Sequence, residues 1–138
     1  MLTIIKKYLR KNLFFVSMRL RSRGEDPANY IVQKGITNIC IDGYPCSANS
    51  FSVRMFREAN PGAIVAHHTH SIANFKKALE CNVPVVVLIR NPEEAVVSSI
   101  IAHKSDLVDD ELYRYIDFYD WVYRHMNSVV IASFEQVI

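Results

Sequence analysis

Two stretches of this chain follow the same order: an apolar run, a short polar turn, then a helical pattern. The first is Ile39-Cys-Ile-Asp-Gly-Tyr-Pro-Cys-Ser-Ala-Asn-Ser-Phe51. The second is Val85-Val-Val-Leu-Ile-Arg-Asn-Pro-Glu-Glu-Ala-Val-Val-Ser98. Repeated strand–turn–helix units constrain a chain to an α/β layered fold, because a helix must cross over before the next parallel strand can pair. Each turn also sets polar groups at a helix N-terminus, where free backbone N–H groups and the positive end of the macrodipole face an anion. Two such turns point to a ligand with two separated phosphates.

The rest of the pattern agrees. Residues 2–22 are expected to be helical, with Ile5, Leu9, Leu13 and Val16 near one face. Gly24-Glu-Asp-Pro27 breaks that segment. Strands are expected at 38–42, 63–66, 84–89 and 128–133, and helices at 49–60, 71–81, 92–104 and 109–127. The 84–89 run is apolar throughout, as in a strand covered on both faces. Pro92 opens its helix with Glu93 and Glu94 in the first turn. This order predicts a three-layer α/β sandwich with a mainly parallel central sheet, similar to phosphate-loop nucleotide-binding folds.

With 138 residues, the chain has room for one domain with a real core. Its net charge is only +2, but residues 1–24 hold seven Lys or Arg and no acid, leaving nine basic and fourteen acidic groups beyond them. The expected division is therefore 1–27, a basic amphipathic helix and linker, and 28–138, the nucleotide-binding domain. Such a body is no general polyanion binder, so nucleic acid is not an expected partner. Residues 1–23 suit a peripheral contact with an anionic membrane surface. The three cysteines, an odd number without metal-ligand spacing, imply a reducing compartment, and no apolar stretch approaches a bilayer span. A cytoplasmic location is expected.

Three polar clusters carry candidate chemistry. In the first turn, Ser47, Asn49 and Ser50 can donate beside the backbone, or Asn49 serves as an ordinary N-cap. The turn lacks the lysine of a Walker A motif, which disfavours phosphoryl transfer from ATP or GTP and hence a small-kinase reading. In the second, Arg90 ends an apolar strand and Ser98 lies about two helical turns on, as a planar fork and a neutral donor for phosphate. The alternative is a structural ion pair from Arg90 to Glu93 or Glu94. Between them, His67-His-Thr-His70 offers a general base, a solvated loop or a metal site. No nearby acid or cysteine completes a ligand set, so no metal is expected.

These residues resemble the sulfotransferase family, which uses 3′-phosphoadenosine 5′-phosphosulfate (PAPS). The donor loop of that family, Tyr-Pro-Lys/Arg-Ser-Gly-Thr-Thr/Ser-aromatic, stands here as Tyr44-Pro45-Cys46-Ser47-Ala48-Asn49-Ser50-Phe51. Its 3′-phosphate motif is similar to Arg90, Asn91, Pro92 and Ser98, and its Thr-His pair to Thr69-His70. A later Tyr-Glu-Asp corresponds to Phe134-Glu135-Gln136. The resemblance spans about residues 38–138. It implies a donor site at Pro45, Cys46, Ser47, Ala48, Asn49, Ser50, Phe51, Arg90, Ser98 and Phe134, with His70 as catalytic base toward a hydroxyl or amine acceptor and no metal. Two departures bear on activity. Cys46 replaces a basic residue that stabilises the leaving group, and the Gly/Lys-rich loop that follows in the family is absent before Ile138, as expected of a truncated portion. The rival expectation is a non-catalytic nucleotide-binding or interaction module on the same scaffold.

Overall fold

A computed structural model describes residues 2–104 and 107–138; Met1, part of the expected N-terminal segment, lies outside them. Four strands, β1 (Ile39–Gly43), β2 (Val65–His67), β3 (Val85–Ile89) and β4 (Val130–Ser133), form one sheet in the order β2-β1-β3-β4. Every pairing is parallel. The chain moves from β1 outward to β2, then returns to the other side of β1 for β3. That reversal falls at the carboxyl ends of β1 and β3, the usual ligand position in open parallel sheets.

Alternation along the strands assigns each face a separate core. Cys40, Ala66, Val85 and Val87 pack against Phe75 and Ala78 of α4 (Ile72–Glu80) and against Phe118, Trp121 and Val122 of α6 (Val108–Arg124). Ile41, Val65 and Leu88 face Val53 of α3 (Asn49–Ala59), joined by Val137 of the short α7 (Phe134–Val137). Helix α5 (Pro92–His103) packs on α6 through Ala95, Val96 and Tyr115. The result is the expected three layers. Gly43 permits a close approach at the centre: a Cβ there would stand 2.4 Å from the Leu88 carbonyl oxygen.

Local signals explain most boundaries. Ser71 caps α4 by accepting from the Ala73 N–H, and Asn91 caps α5 ahead of Pro92. The N-terminal segment departs from expectation. It is two helices, α1 (Leu2–Arg10) and α2 (Leu13–Ser22), because Asn12 is extended and its side chain accepts from the Phe14 N–H, starting a new helix. The break lets α2 bury Val16 and Leu20 while Lys7 and Lys11 of the first segment pair with Asp117 of α6. Residues of this segment thus dock on the α/β body. β4 ends at Ser133, where the expected strand ends, and Ser133 stands at the N-cap of α7.

Candidate functional site at the carboxyl edge of the sheet

The loop from β1 to α3 is held by aromatic residues of α6. Tyr44 is wholly buried; its hydroxyl donates to Glu111 Oε2 at 2.6 Å, and its N–H donates to the Tyr119 hydroxyl at 3.2 Å. Beyond Pro45 the backbone turns left-handed twice, at Cys46 (φ 64°) and Ala48 (φ 65°). Ala48, not Asn49, occupies the N-cap position and offers no side-chain bond to the helix. Asn49 instead turns inward and donates to the Tyr44 carbonyl at 3.0 Å, because a second polar anchor holds the loop against the sheet. The first-turn N–H groups of α3 therefore have no side-chain cap. Ser47 Oγ and Asn49 Oδ1 are buried without a hydrogen-bond partner. Phe51 is exposed.

Arg90, just past β3, reaches this loop. Its Nη1 donates to the Cys46 carbonyl at 3.0 Å and lies 3.4 Å from Ser98 Oγ, while Nε pairs with Glu94 at 3.1 Å. The Phe134 ring lies under the guanidinium, 4.3 Å from its carbon to the ring centroid. Arg90 thus has both the structural ion pair and the Ser98 contact, and it brings a cation to the loop that carries Cys46. Tyr115 donates to the Arg90 carbonyl at 2.6 Å, and Tyr119 to the Leu88 carbonyl at 2.6 Å. The one helix therefore positions both turns. Arg54, by contrast, pairs with Glu58 on the exposed face of α3.

The three histidines differ in what holds them. Arg57 can only donate, so His67 Nε2 accepts from it at 3.1 Å, and the proton sits on Nδ1, facing His68 Nδ1. His68 Nε2 then donates to Ser50 Oγ at 2.9 Å. Burial, then His68 and Arg57, lowers the His67 pKa to about 4, and burial lowers that of His68 too. His70 is held otherwise. Its Nδ1 stands 2.8 Å from the Gly43 carbonyl, which can only accept, and 3.1 Å from Asp42 Oδ1. The proton is therefore on Nδ1 and the lone pair on Nε2. Asp42 is fully buried, and its Oδ2 accepts from the Thr69 N–H (2.7 Å), Thr69 Oγ1 (3.0 Å) and the His70 N–H (2.9 Å). Burial would raise the carboxyl, but His70 and the Gly43 N–H outweigh it and hold it at about 2.

Chain comparisons add no family. No protein-family model, curated protein or solved structure matches this chain. The geometry therefore carries the reading. The fold draws Cys46, Ser47, Asn49, Arg90, Ser98 and Phe134 into one neighbourhood, with His70 and Ser50 on the β2 side of it. Sequence reasoning missed Asp42, Glu111, Tyr115 and Tyr119. A lone acid inside the apolar Ile39–Gly43 run was a usable signal for Asp42, since such a charge needs dedicated partners. Among the described residues, no group of three or more metal-ligating side chains gathers, and no helix is long and apolar enough to cross a membrane.

Proposed function

We propose that this domain binds a nucleotide with two separated phosphates across the carboxyl ends of β1 and β3 and acts as a sulfotransferase-like protein using PAPS. The observation that carries this reading is Arg90, whose guanidinium touches both the β1–α3 loop and Ser98. Two turns that the sequence marked as separate anion sites thereby share one cation. Ser47 and Asn49, buried with unused polar atoms, fit a loop that gains partners when an oxyanion enters. In this assignment the 5′-phosphosulfate lies along 43–50 and the 3′-phosphate at Arg90 and Ser98.

The donor supplies the sulfuryl group. His70 Nε2 takes the proton of an acceptor hydroxyl or amine as that oxygen or nitrogen bonds to sulfur. The bond from sulfur to the 5′-phosphate breaks, and adenosine 3′,5′-bisphosphate leaves. Asp42 keeps the His70 proton on Nδ1 and stabilises the ring once charged. Calorimetric titration tests the reading: adenosine 3′,5′-bisphosphate should bind more tightly than 5′-AMP, and Arg90→Ala should remove the difference. A charge-assisted bond worth about 1.5–3 kcal/mol corresponds to roughly a 10- to 150-fold loss. Equal affinities in the wild-type protein refute it.

A non-catalytic nucleotide-binding module is the second reading, and Cys46 favours it. Its carbonyl already occupies Arg90, and its thiol brings no cation to the leaving group. The two readings part on one measurement: bisphosphate binding without sulfuryl transfer, restored by Cys46→Lys, supports the module.

A further inference from the structure

Beside His70 lies a cavity of about 530 Å³ into which four arginines converge. Arg10 comes from α1, Arg19 and Arg23 from α2 and its end, and Arg114 from α6. None of the residues 44–50 lines it. Two carboxylates face it, Glu25 and Glu111, and Glu111 is already engaged by Tyr44, Ser99 and Arg114. Among the described residues, Arg10, Arg19 and Arg23 make no ion pair. Arg19 Nη2 donates to the Thr69 carbonyl at 2.8 Å, yet its Nε is buried with no partner.

Such an arrangement is costly without an anion. Burial and then Arg23 and Arg10 push the Arg19 pKa down; burial and Arg10 do the same to Arg114. Guanidinium forks match the oxygens of carboxylate, phosphate and sulfate, and an orphaned buried N–H is satisfied when one arrives. His67 on the same wall is kept neutral down to about 4 and adds no further cation to the cluster. Placement gives the occupant its role. His70 lines the cavity, so a molecule anchored there by its anionic group lies beside the His70 ring.

We propose that this cavity is an acceptor subsite that takes a carboxylate, phosphate or sulfate group carried by the molecule whose hydroxyl or amine faces His70. The acceptor class is thus anionic, not a neutral phenol or alcohol. The class rests on the reading of His70 as base; the anion site itself does not. The basic N-terminal segment then has a purpose within the fold: Arg10, Arg19 and Arg23 roof the site.

The test is calorimetry on the full chain saturated with adenosine 3′,5′-bisphosphate, so that the nucleotide loop is closed to competing anions. The probes are inorganic sulfate and the pair glucuronate and glucose, which differ by one carboxylate. Sulfate and glucuronate should bind and glucose should not. Arg19→Gln should weaken both at least tenfold, with Arg19→Lys restoring part. Because Arg19 is partly buried, the double variant Arg10→Gln/Arg23→Gln gives a second measurement that should show the same loss, while Arg54→Gln should show none. Equal binding of glucose and glucuronate, or sulfate affinity unmoved in these variants, overturns the subsite. If the bisphosphate itself fails to bind, the same titration is run in Arg90→Ala. Arg19-dependent sulfate binding there upholds the anion site while the nucleotide reading fails. Bisphosphate binding with no Arg19-dependent anion response overturns the subsite alone.

Discussion

Replacing Asp42 by Asn tests the centre of the site without reference to any ligand. The carboxylate accepts from five donors: Thr69 N–H, Thr69 Oγ1 and His70 N–H on Oδ2, and Gly43 N–H and His70 Nδ1 on Oδ1. An amide keeps one acceptor oxygen. Placed where three donors meet, it turns its NH2 toward the Gly43 N–H, and a buried donor left unpaired costs about 1–3 kcal/mol. The bonds that survive also weaken, since a charged acceptor contributes about 1.5–3 kcal/mol where a neutral one contributes about 0.5–1.5. Together these give a loss of about 3–5 kcal/mol. The carboxyl's own titration gives a lower figure: holding it at about 2 instead of 3.8 corresponds to about 2 kcal/mol in favour of the charged form. For a domain of this size, about 3 °C per kcal/mol predicts a Tm drop of roughly 9–15 °C near neutral pH.

The sign of the acid limb follows from the lowered value. The stability that Asp42 contributes is fully present above 3.8 and is lost as pH falls toward about 2. The Asn variant has no such limb, so the gap in Tm between the two proteins should narrow over that window. Thermal unfolding followed by circular dichroism measures both quantities. A drop under about 3 °C, or a gap that stays constant on acidification, refutes the claim that this carboxylate organises the β1 and β2 ends.

Other expectations follow from the same contacts. Ala48→Gly should stabilise the fold by about 0.5–1 kcal/mol in urea titrations, because Ala48 holds a left-handed φ of 65°; destabilisation would contradict it. Tyr119→Phe should cost about 1–3 kcal/mol, since the Tyr44 N–H and the Leu88 carbonyl lose their shared partner, and a neutral result in the same titration counts against that role. His67, neutral in the folded protein down to about 4, contributes stability that is present above 6.5 and lost as pH falls from 6.5 to about 4. His67→Asn should flatten that part of the Tm profile, and an unchanged slope would assign it to other groups.

The strand–helix alternation was legible because it is local. Apolar runs such as Val85–Ile89, caps such as Ser71 and the Pro92 start act within a few residues, and each declares itself in the pattern. The same pattern marked both turns as polar helix entries and so gave Arg90 and Ser98 as candidates, while His70 came from the histidine cluster between them. What lay beyond it was partnership. That Arg90 ties to Cys46 depends on β3 lying beside β1, a pairing set by burial on both sheet faces. That Tyr115 and Tyr119 hold both turns depends on which face of an aromatic-rich helix meets the sheet. The break at Asn12 was local yet easily passed over, because apolar spacing continues through it. Its consequence was wholly tertiary: α1 and α2 fold back, and arginines that the sequence offered to an outside surface converge beside His70. Spacing along a chain fixes which residues enter helices and strands. Only packing decides which charges must share a buried space, because that energy depends on distances between residues far apart in sequence.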